Sequence, residues 1–135
     1  MIYLLDTNTC IEILNGRPAV VRNRFAATPP GEIGLCSIVK AELYHGASRS
    51  SQRQSNMALL QQFFSQFRSL AFDDLAAEIY GDIRADLQAQ GMLIGPLDML
   101  IAAIALANQV KLVTHNVREF SRVRGLDIED WHIIP

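Results

Sequence analysis

The sequence contains little cysteine, and its cysteines do not have the spacing of a structural site. Only Cys10 and Cys36 occur among 135 residues. A single pair cannot cross-link a small secreted scaffold or supply a zinc site. This argues against the disulfide-rich class and favours reduced thiols. We therefore expect a cytoplasmic protein.

The sequence also lacks a signal peptide and a membrane-spanning run. Its first letters, MIYLLD, show neither a basic region nor a small-residue cleavage site. The longest apolar run is interrupted by Gly95, Pro96 and Asp98, so it is too short to cross a bilayer. These features predict no association with a membrane.

An excess of positive charge is missing as well. The chain has 12 basic and 14 acidic residues, a net charge of −2, so it cannot hold nucleic acid by bulk charge alone. Ten of the basic residues are arginine, which suits phosphate groups better than lysine does. They form three local groups that either contact RNA or are simply solvated helix faces. These groups are Arg22 with Arg24, Arg49 with Arg53, and Arg118 with Arg122 and Arg124.

Apolar residues, by contrast, are plentiful and regularly placed. Half of the residues are hydrophobic, which is enough for one core and predicts a single domain over residues 1–135. Short apolar runs alternate with amphipathic segments, a pattern typical of an α/β protein with a central, mainly parallel sheet between two layers of helices. The predicted strands are 1–5, 32–37, 69–72, 111–114 and 126–134. The predicted helices are 7–16, 17–28, 38–48, 52–67, 73–91, 96–109 and 116–123, with Ser37 as the cap of the third.

One aspartate lies within the most apolar of these helices. Residues 93–106 have the sequence LIGPLDMLIAAIAL, in which Asp98 is the only charged residue. Pro96 favours a helix start, which places Asp98 in the first turn, where the helix dipole stabilises an anion by less than about 1 kcal/mol. Burial of an unpaired carboxylate costs several kcal/mol. Asp98 therefore predicts a nearby cation or a bound proton.

Three further acidic residues are predicted at one edge of the sheet. Asp6 follows the first strand, Glu42 lies in the helix after the second, and Glu119 follows the fourth strand near Asn116. Because the carboxyl ends of parallel strands share one edge, these acids can converge there with Asp98. Each also has a structural alternative: Asp6 as a helix cap, Glu42 as a solvated helix residue, and Glu119 as the partner of a neighbouring arginine.

A cluster of carboxylates indicates a divalent cation. The negative charges repel one another unless a cation lies between them. Oxygen ligands suit Mg²⁺ or Mn²⁺ rather than Zn²⁺, and the scattered histidines His45, His115 and His132 are predicted to be structural or exposed. Mg²⁺ held by carboxylates activates water and stabilises charge on a phosphate group. The cluster therefore predicts hydrolysis of a phosphodiester.

Four segments of the chain form a set with a known counterpart. They are YLLDTNTCIEIL, SIVKAELYHGA, IGPLDMLIAAIALA and LVTHNVREFSRVRGLDIEDW, in this order along almost the whole chain. Together they resemble the PIN domain, and within it the VapC toxins of bacterial toxin–antitoxin pairs. The resemblance implies a compact α/β/α fold and an endoribonuclease that depends on Mg²⁺ or Mn²⁺.

The resemblance also implies roles for individual residues. Many PIN domains carry an aspartate where this chain has the neutral Asn116, which implies that Glu119 supplies the fourth charge. The implied catalytic acids are Asp6, Glu42, Asp98 and Glu119. The implied metal ligands are Asp6, Glu42, Asp98 and Asn116. The implied orienting residues, which fix an acid or a bound water, are Thr7, Asn8 and Ser37.

Partners follow from the same resemblance. Family members are usually held inactive by a VapB antitoxin, form homodimers, and bind operator DNA only through the antitoxin. Relatives that share DTNTCI and the later REF, GL and EDW elements cut tRNA in the anticodon stem-loop, including initiator tRNA. The expected substrate is therefore a tRNA.

Two other functions remain open at this point. An aspartate-based phosphatase would use Asp6 as its nucleophile but usually needs a second aspartate two positions later, where this chain has Asn8. A phospho-acceptor domain would carry a lone lysine after a late strand, whereas Lys111 precedes one. A non-catalytic PIN-like protein that binds RNA or a partner would be expected to have lost some of the acids that this chain keeps.

Overall fold

A five-stranded sheet flanked by helices forms the protein in the computed structural model, which describes residues 1–134. Residue 135, the last of the predicted domain, lies outside the described residues. The strands are β1 (Tyr3–Leu5), β2 (Ile33–Cys36), β3 (Arg68–Leu70), β4 (Lys111–Val113) and β5 (Ile128–Glu129). Each overlaps a strand that the apolar runs predict.

Seven α-helices accompany these strands in the described part of the chain, at the predicted positions. They are α1 (Thr7–Asn15), α2 (Ala19–Ala26), α3 (Ser37–Arg49), α4 (Arg53–Phe64), α5 (Asp74–Ala89), α6 (Pro96–Asn108) and α7 (Val117–Phe120). The carboxylates of Asp6 and Asp73 cap α1 and α5 by accepting backbone N–H groups. At its other end α1 stops at Gly16, whose φ of 75° is a left-handed conformation that glycine adopts without strain.

All neighbouring strands are parallel, in the order β3-β2-β1-β4-β5. This confirms the predicted α/β class and its parallel sheet. Tyr3 of the central strand β1 pairs with Ile33 of β2 on one side and with Lys111 of β4 on the other. The strand order therefore reverses between β1 and β4. In open parallel sheets such a reversal creates a crevice beyond the carboxyl ends of the two strands.

The last strand is shorter than the predicted segment 126–134. Only Ile128 and Glu129 pair with β4. Pairing stops because the carboxylate of Asp130 accepts a hydrogen bond from the backbone N–H of His132 (2.9 Å), which turns the chain. Trp131 is 1% exposed. The apolar residue that follows Asp130 is therefore a buried side chain and does not indicate a longer strand.

Helix α6 is the buried helix that the sequence predicts. Its segment 101–105 is at most 1% exposed and consists only of isoleucine and alanine, so it buries no polar side chain. The helix packs along α5 and against β4. Its two ends reach the surface: Leu97 is exposed and Asp98 half-buried in the first turn, and Asn108 is exposed at the other end. The buried turns therefore fix the position at which Asp98 is presented.

The two cysteines are buried and form no disulfide. Burial raises the pKa of the Cys10 thiol and of the Cys36 thiol, so both are protonated and unreactive at neutral pH. Across residues 1–134, none of the helices combines the length and apolar character that crossing a membrane requires.

Candidate active site

The crevice between β1 and β4 contains the first of the predicted acids. Asp6 directly follows β1, and its backbone N–H donates to the carbonyl of Val113 at the end of β4 (3.0 Å). Its side chain is 6% exposed and accepts a hydrogen bond from the N–H of Thr9 (2.9 Å). Burial raises the pKa of the Asp6 carboxyl, although hydrogen bonds from Thr114 and Thr9 oppose the shift. Asp6 is thus both a helix cap and a buried acid at the predicted edge.

Glu42 is brought to the same edge by contact between α1 and α3. It is half-buried, and its Oε1 accepts a hydrogen bond from the hydroxyl of Thr7 (2.8 Å). The alternative of a freely solvated helix residue is therefore wrong. The family resemblance implies that Thr7 orients Asp6 or a bound water, whereas in the structure its hydroxyl donates to Glu42.

Asp98 is the acid on which the others act electrostatically. Burial, followed by the negative charges of Glu42, Glu119 and Asp6, raises the pKa of the Asp98 carboxyl from 3.8 to about 6. Gly95 lies close to this carboxylate. A Cβ atom added at Gly95 would be 3.2 Å from Oδ2 of Asp98. The structure thus brings Asp6, Glu42 and Glu119 within electrostatic range of Asp98.

Asn116 and Glu119 form a linked pair at the end of β4. The Asn116 side-chain amide donates to Oε2 of Glu119 (3.3 Å), and its backbone N–H donates to the hydroxyl of Thr114 (3.0 Å). Arg122, a candidate partner of Glu119, instead donates to the carbonyl of Leu93 (3.3 Å). In the structure the neutral Asn116 therefore positions the charged Glu119.

The two remaining predicted site residues differ in their placement. Asn8 is exposed and lines the crevice together with Asp6 and Asn116. Ser37 is the first residue of α3 rather than its cap, because Cys36 holds the extended cap conformation (φ −97°, ψ 160°). The Ser37 hydroxyl donates to the carbonyl of Leu70 at the end of β3 (3.2 Å). The prediction that Ser37 caps α3 is wrong. Its hydroxyl contacts the end of β3 rather than one of the acids.

The donor set fits a hard divalent cation. All four acids and Asn116 offer oxygen atoms, and after burial it is the negative charges of Glu42, Glu119 and Asp6 that raise the pKa of Asp98. Among residues 1–134, no three His, Cys, Asp or Glu side chains are close enough to hold an ion by themselves. Mg²⁺ is usually bound through only one or two carboxylates and keeps several waters, so this arrangement suits Mg²⁺ or Mn²⁺.

Two histidines in the crevice were not predicted as site residues. His115 and His132 stack with ring centroids 3.8 Å apart, and both line the crevice with Asp6 and Asn116. The sequence does contain one signal for His115, because it lies between the end of β4 and Asn116. His132 has no such signal, since only the turn after β5 brings it there.

Several arginines that could have bound RNA are used within the fold. Arg24 forms an ion pair with Glu129 (2.8 Å) and lies over the ring of Trp131. Arg124 pairs with Asp86 (3.5 Å), and Arg22 donates to a backbone carbonyl. These contacts favour a structural role for the arginines concerned, whereas Arg49 and Arg53 are exposed at the ends of α3 and α4.

Comparison with known proteins connects this geometry to a family. The PIN domain family matches residues 3–126. The tRNA(fMet)-specific endonuclease VapC of Shigella flexneri is 41% identical over 129 residues, which cover 96% of this chain and 97% of the relative.

Solved structures give the same result. A DNA-bound VapBC from Salmonella typhimurium contains a chain with 38% identity and a TM-score of 0.90, covering 97% of this chain and 98% of that one. A VapBC2 from Rickettsia felis bound to a promoter DNA fragment contains a chain with 36% identity and a TM-score of 0.89, covering 97% and 99%. The chain belongs to the PIN domain family, and within it to the VapC ribonuclease toxins of VapBC toxin–antitoxin systems.

Proposed function

We propose that this toxin is a Mg²⁺- or Mn²⁺-dependent endoribonuclease that cuts tRNA within the anticodon stem-loop, with initiator tRNA as its main substrate. The observation that carries the proposal is that Glu42, Glu119 and Asp6 all lie close enough to the half-buried Asp98 for their negative charges to raise its pKa. A single-stranded loop is the favoured target because its bases can leave the stack. The specificity of the Shigella relative for tRNA(fMet) supports initiator tRNA as the substrate.

The acids divide the work according to their positions. Asp6, Asp98 and Glu42 would hold the cation directly or through its bound water molecules, with Asn116 as a neutral ligand and Glu119 as the fourth negative charge. The bound cation supplies water activation and stabilises charge on the phosphate group. Asp6 is fixed by the N–H of Thr9 and Glu42 by the hydroxyl of Thr7, so neither carboxylate has to reorganise during the reaction.

The surface around Glu42 has the character of a binding site for a protein partner. The apolar side chains of Ile11 and Leu59 are exposed beside Glu42 and line one groove with it. Such exposed apolar side chains suit a protein segment, which we propose to be a VapB-type antitoxin that covers the acids. Operator DNA would be contacted through the antitoxin, and the toxin would act as a homodimer in the cytoplasm, where tRNA is found.

An aspartate-based phosphatase is not supported. The position two residues after Asp6 holds Asn8, which cannot serve as the acid that a phosphatase of this kind usually needs. One carboxylate oxygen of Asp6 also accepts the N–H of Thr9 as the cap of α1. The trapping of an acyl-phosphate on Asp6 would revive this alternative.

The proposal is tested by cleavage of defined tRNAs. Purified toxin, freed of antitoxin, is incubated with initiator tRNA and with elongator methionine tRNA in Mg²⁺, in Mn²⁺ and in EDTA, and the RNA ends are mapped. We expect one cut in the anticodon stem-loop of initiator tRNA, little cutting of the elongator tRNA, and none in EDTA. Cleavage that persists in EDTA would contradict the metal requirement, and equal cutting of both tRNAs would contradict the substrate.

Removal of the Thr7 hydroxyl is expected to slow the reaction without unfolding the protein. Thr7→Val keeps the shape of the side chain but loses the 2.8 Å hydrogen bond to Glu42. A hydrogen bond to a charged group contributes roughly 1.5 kcal/mol, so we expect kcat/KM to fall about tenfold. Steady-state cleavage of a stem-loop RNA measures this. Thr28→Val is the matched control, because the Thr28 hydroxyl bonds only within α2; an equal loss in both variants would exclude a specific role for Thr7.

A further inference from the structure

Two stacked imidazole rings form one wall of the crevice beside the acids. The rings of His115 and His132 are 3.8 Å apart between centroids and only 20° from parallel. The crevice has a volume of about 500 Å³, and Asp6 and Asn116 also line it. An aromatic surface is therefore present within the same crevice as the proposed metal ligands.

Both rings are held in place by carboxylates. Nδ1 of His115 lies 3.0 Å from Asp130, and Nε2 of His132 lies 2.9 Å from Glu12. Asp130 is itself fixed, because it accepts the N–H of His132 and its side chain is only 10% exposed. The orientation of the rings is thus set before any substrate arrives, which lowers the entropic cost of binding.

One face of His115 remains open. The His115 side chain is 63% exposed although one face of its ring is covered by His132. Within residues 1–134, Nε2 of His115 has no hydrogen-bond partner, so it is available to a ligand. The chemistry on offer is a flat aromatic face with one free polar atom, which matches a planar nucleobase better than an aliphatic side chain.

The position of the open His115 face favours one class of ligand. A phosphodiester that is cut at the acids places its neighbouring nucleotides along the crevice walls. The nucleobase of an unpaired nucleotide is free to turn toward an aromatic ring, whereas a paired base is not. Because Asp6 and Asn116 line the same crevice as the ring, RNA is favoured here over a protein segment.

We propose that His115, backed by His132, is a stacking platform for the nucleobase next to the scissile phosphate. This inference rests on the proposed endoribonuclease function and adds a substrate-binding residue to it. The platform makes cleavage depend on an unpaired base at one position beside the cut. It does not take part in bond breaking, so its loss weakens binding rather than the chemical step.

The test compares variants with a substrate that lacks one base. Stem-loop RNAs with an abasic nucleotide on either side of the cut are cleaved by the wild type, His115→Ala and His115→Phe, with His45→Ala as the control on an exposed histidine outside the crevice. We expect His115→Ala to raise KM about 5- to 50-fold with kcat within about threefold, and His115→Phe to restore KM. The abasic substitution should raise KM in the wild type and add nothing in His115→Ala.

Three results would overturn the stacking platform. They are an unchanged KM in His115→Ala, a KM that His115→Phe does not restore, and an abasic substitution that raises KM in His115→Ala as much as in the wild type. Dissociation constants for the same RNAs, measured by fluorescence anisotropy, give a readout that does not need cleavage. If the wild type binds the stem-loop but does not cut it, the proposed function fails while the stacking comparison is still decided by binding. Rescue by phenylalanine also separates stacking from a role of the imidazole nitrogen.

Discussion

Asp98→Asn is expected to abolish RNA cleavage and, at the same time, to make the metal-free protein more stable at neutral pH. The pKa of this carboxyl is raised by burial and by the charges of the other three acids, so its replacement removes a proposed metal ligand together with a buried negative charge. Removal of one charge-stabilising group from a preorganised site costs roughly 100- to 1,000-fold in rate. We expect at least that loss in kcat.

The gain in stability follows from the raised pKa of Asp98. Below pH 3.8 the carboxyl is protonated in the folded and the unfolded chain, so it costs nothing. As pH rises from 3.8 to about 6, the unfolded chain releases the proton first, and the stability of the folded state falls. Above about pH 6 the full penalty applies. For a half-buried group, screened by solvent, we expect a penalty of about 1 kcal/mol.

Urea unfolding in EDTA at pH 4 and pH 7.5 measures this effect. We expect Asp98→Asn to be more stable than the wild type at pH 7.5 and equal to it at pH 4, and Mg²⁺ to stabilise only the wild type. Asp74→Asn is the matched control, because Asp74 is an exposed residue in the first turn of α5. A variant that cleaves RNA at the normal rate, or that is less stable at pH 7.5, contradicts the assignment of Asp98.

Trp131→Ala is expected to cause the largest loss of folding stability among single changes near the site. Trp131 is 1% exposed, its ring meets the ring of Tyr3 edge-on at 5.6 Å, and its indole N–H donates to Glu129 (3.3 Å). The side chain of Arg24 covers it at 5.7 Å. Replacement of a buried tryptophan by alanine removes these contacts and leaves a cavity, at a cost of about 3 to 5 kcal/mol.

The measurement is urea unfolding followed by circular dichroism, since Trp131 is the only tryptophan and its fluorescence is lost in the variant. Trp131→Phe serves as the comparison, because it keeps an aromatic ring against Tyr3 and should lose much less. Asp130 and His132 flank Trp131, so the alanine variant should also loosen the histidine pair and raise KM for RNA. A loss below about 1 kcal/mol would show that the end of the chain is not anchored by this side chain.

Local patterns in the sequence predicted most of the fold. The apolar runs before Asp6 and after Gln109 are β1 and β4, and the apolar letters after Pro96 are the buried helix α6. The convergence of the acids could also be predicted, because the carboxyl ends of parallel strands share one edge. The strands and the helix follow from periodicity, which a single sequence contains. The convergence of the acids follows from a rule that applies to any open parallel sheet.

Contacts between distant residues could not be predicted in this way. The Thr7 hydroxyl orients Glu42, 35 residues away, and His132 contacts Glu12, 120 residues away. Neither pair has a local pattern, because each depends on how α1 packs against other elements. The error at Ser37 has a different cause, since a serine before a helix and a serine in its first turn look alike in sequence.

The pairing of β4 with β1 has a consequence for the synthesis of this toxin. The next strand in the chain, β2, can pair with β1 early, but β4 joins it only when Lys111 reaches Tyr3. Asn116 and Glu119 follow β4, and the histidine wall needs the turn after β5. Domains fold as the chain leaves the ribosome, N-terminal part first. A growing chain therefore carries an incomplete acidic site until β4 and the residues up to Glu119 have been synthesised, and no active ribonuclease forms before that point.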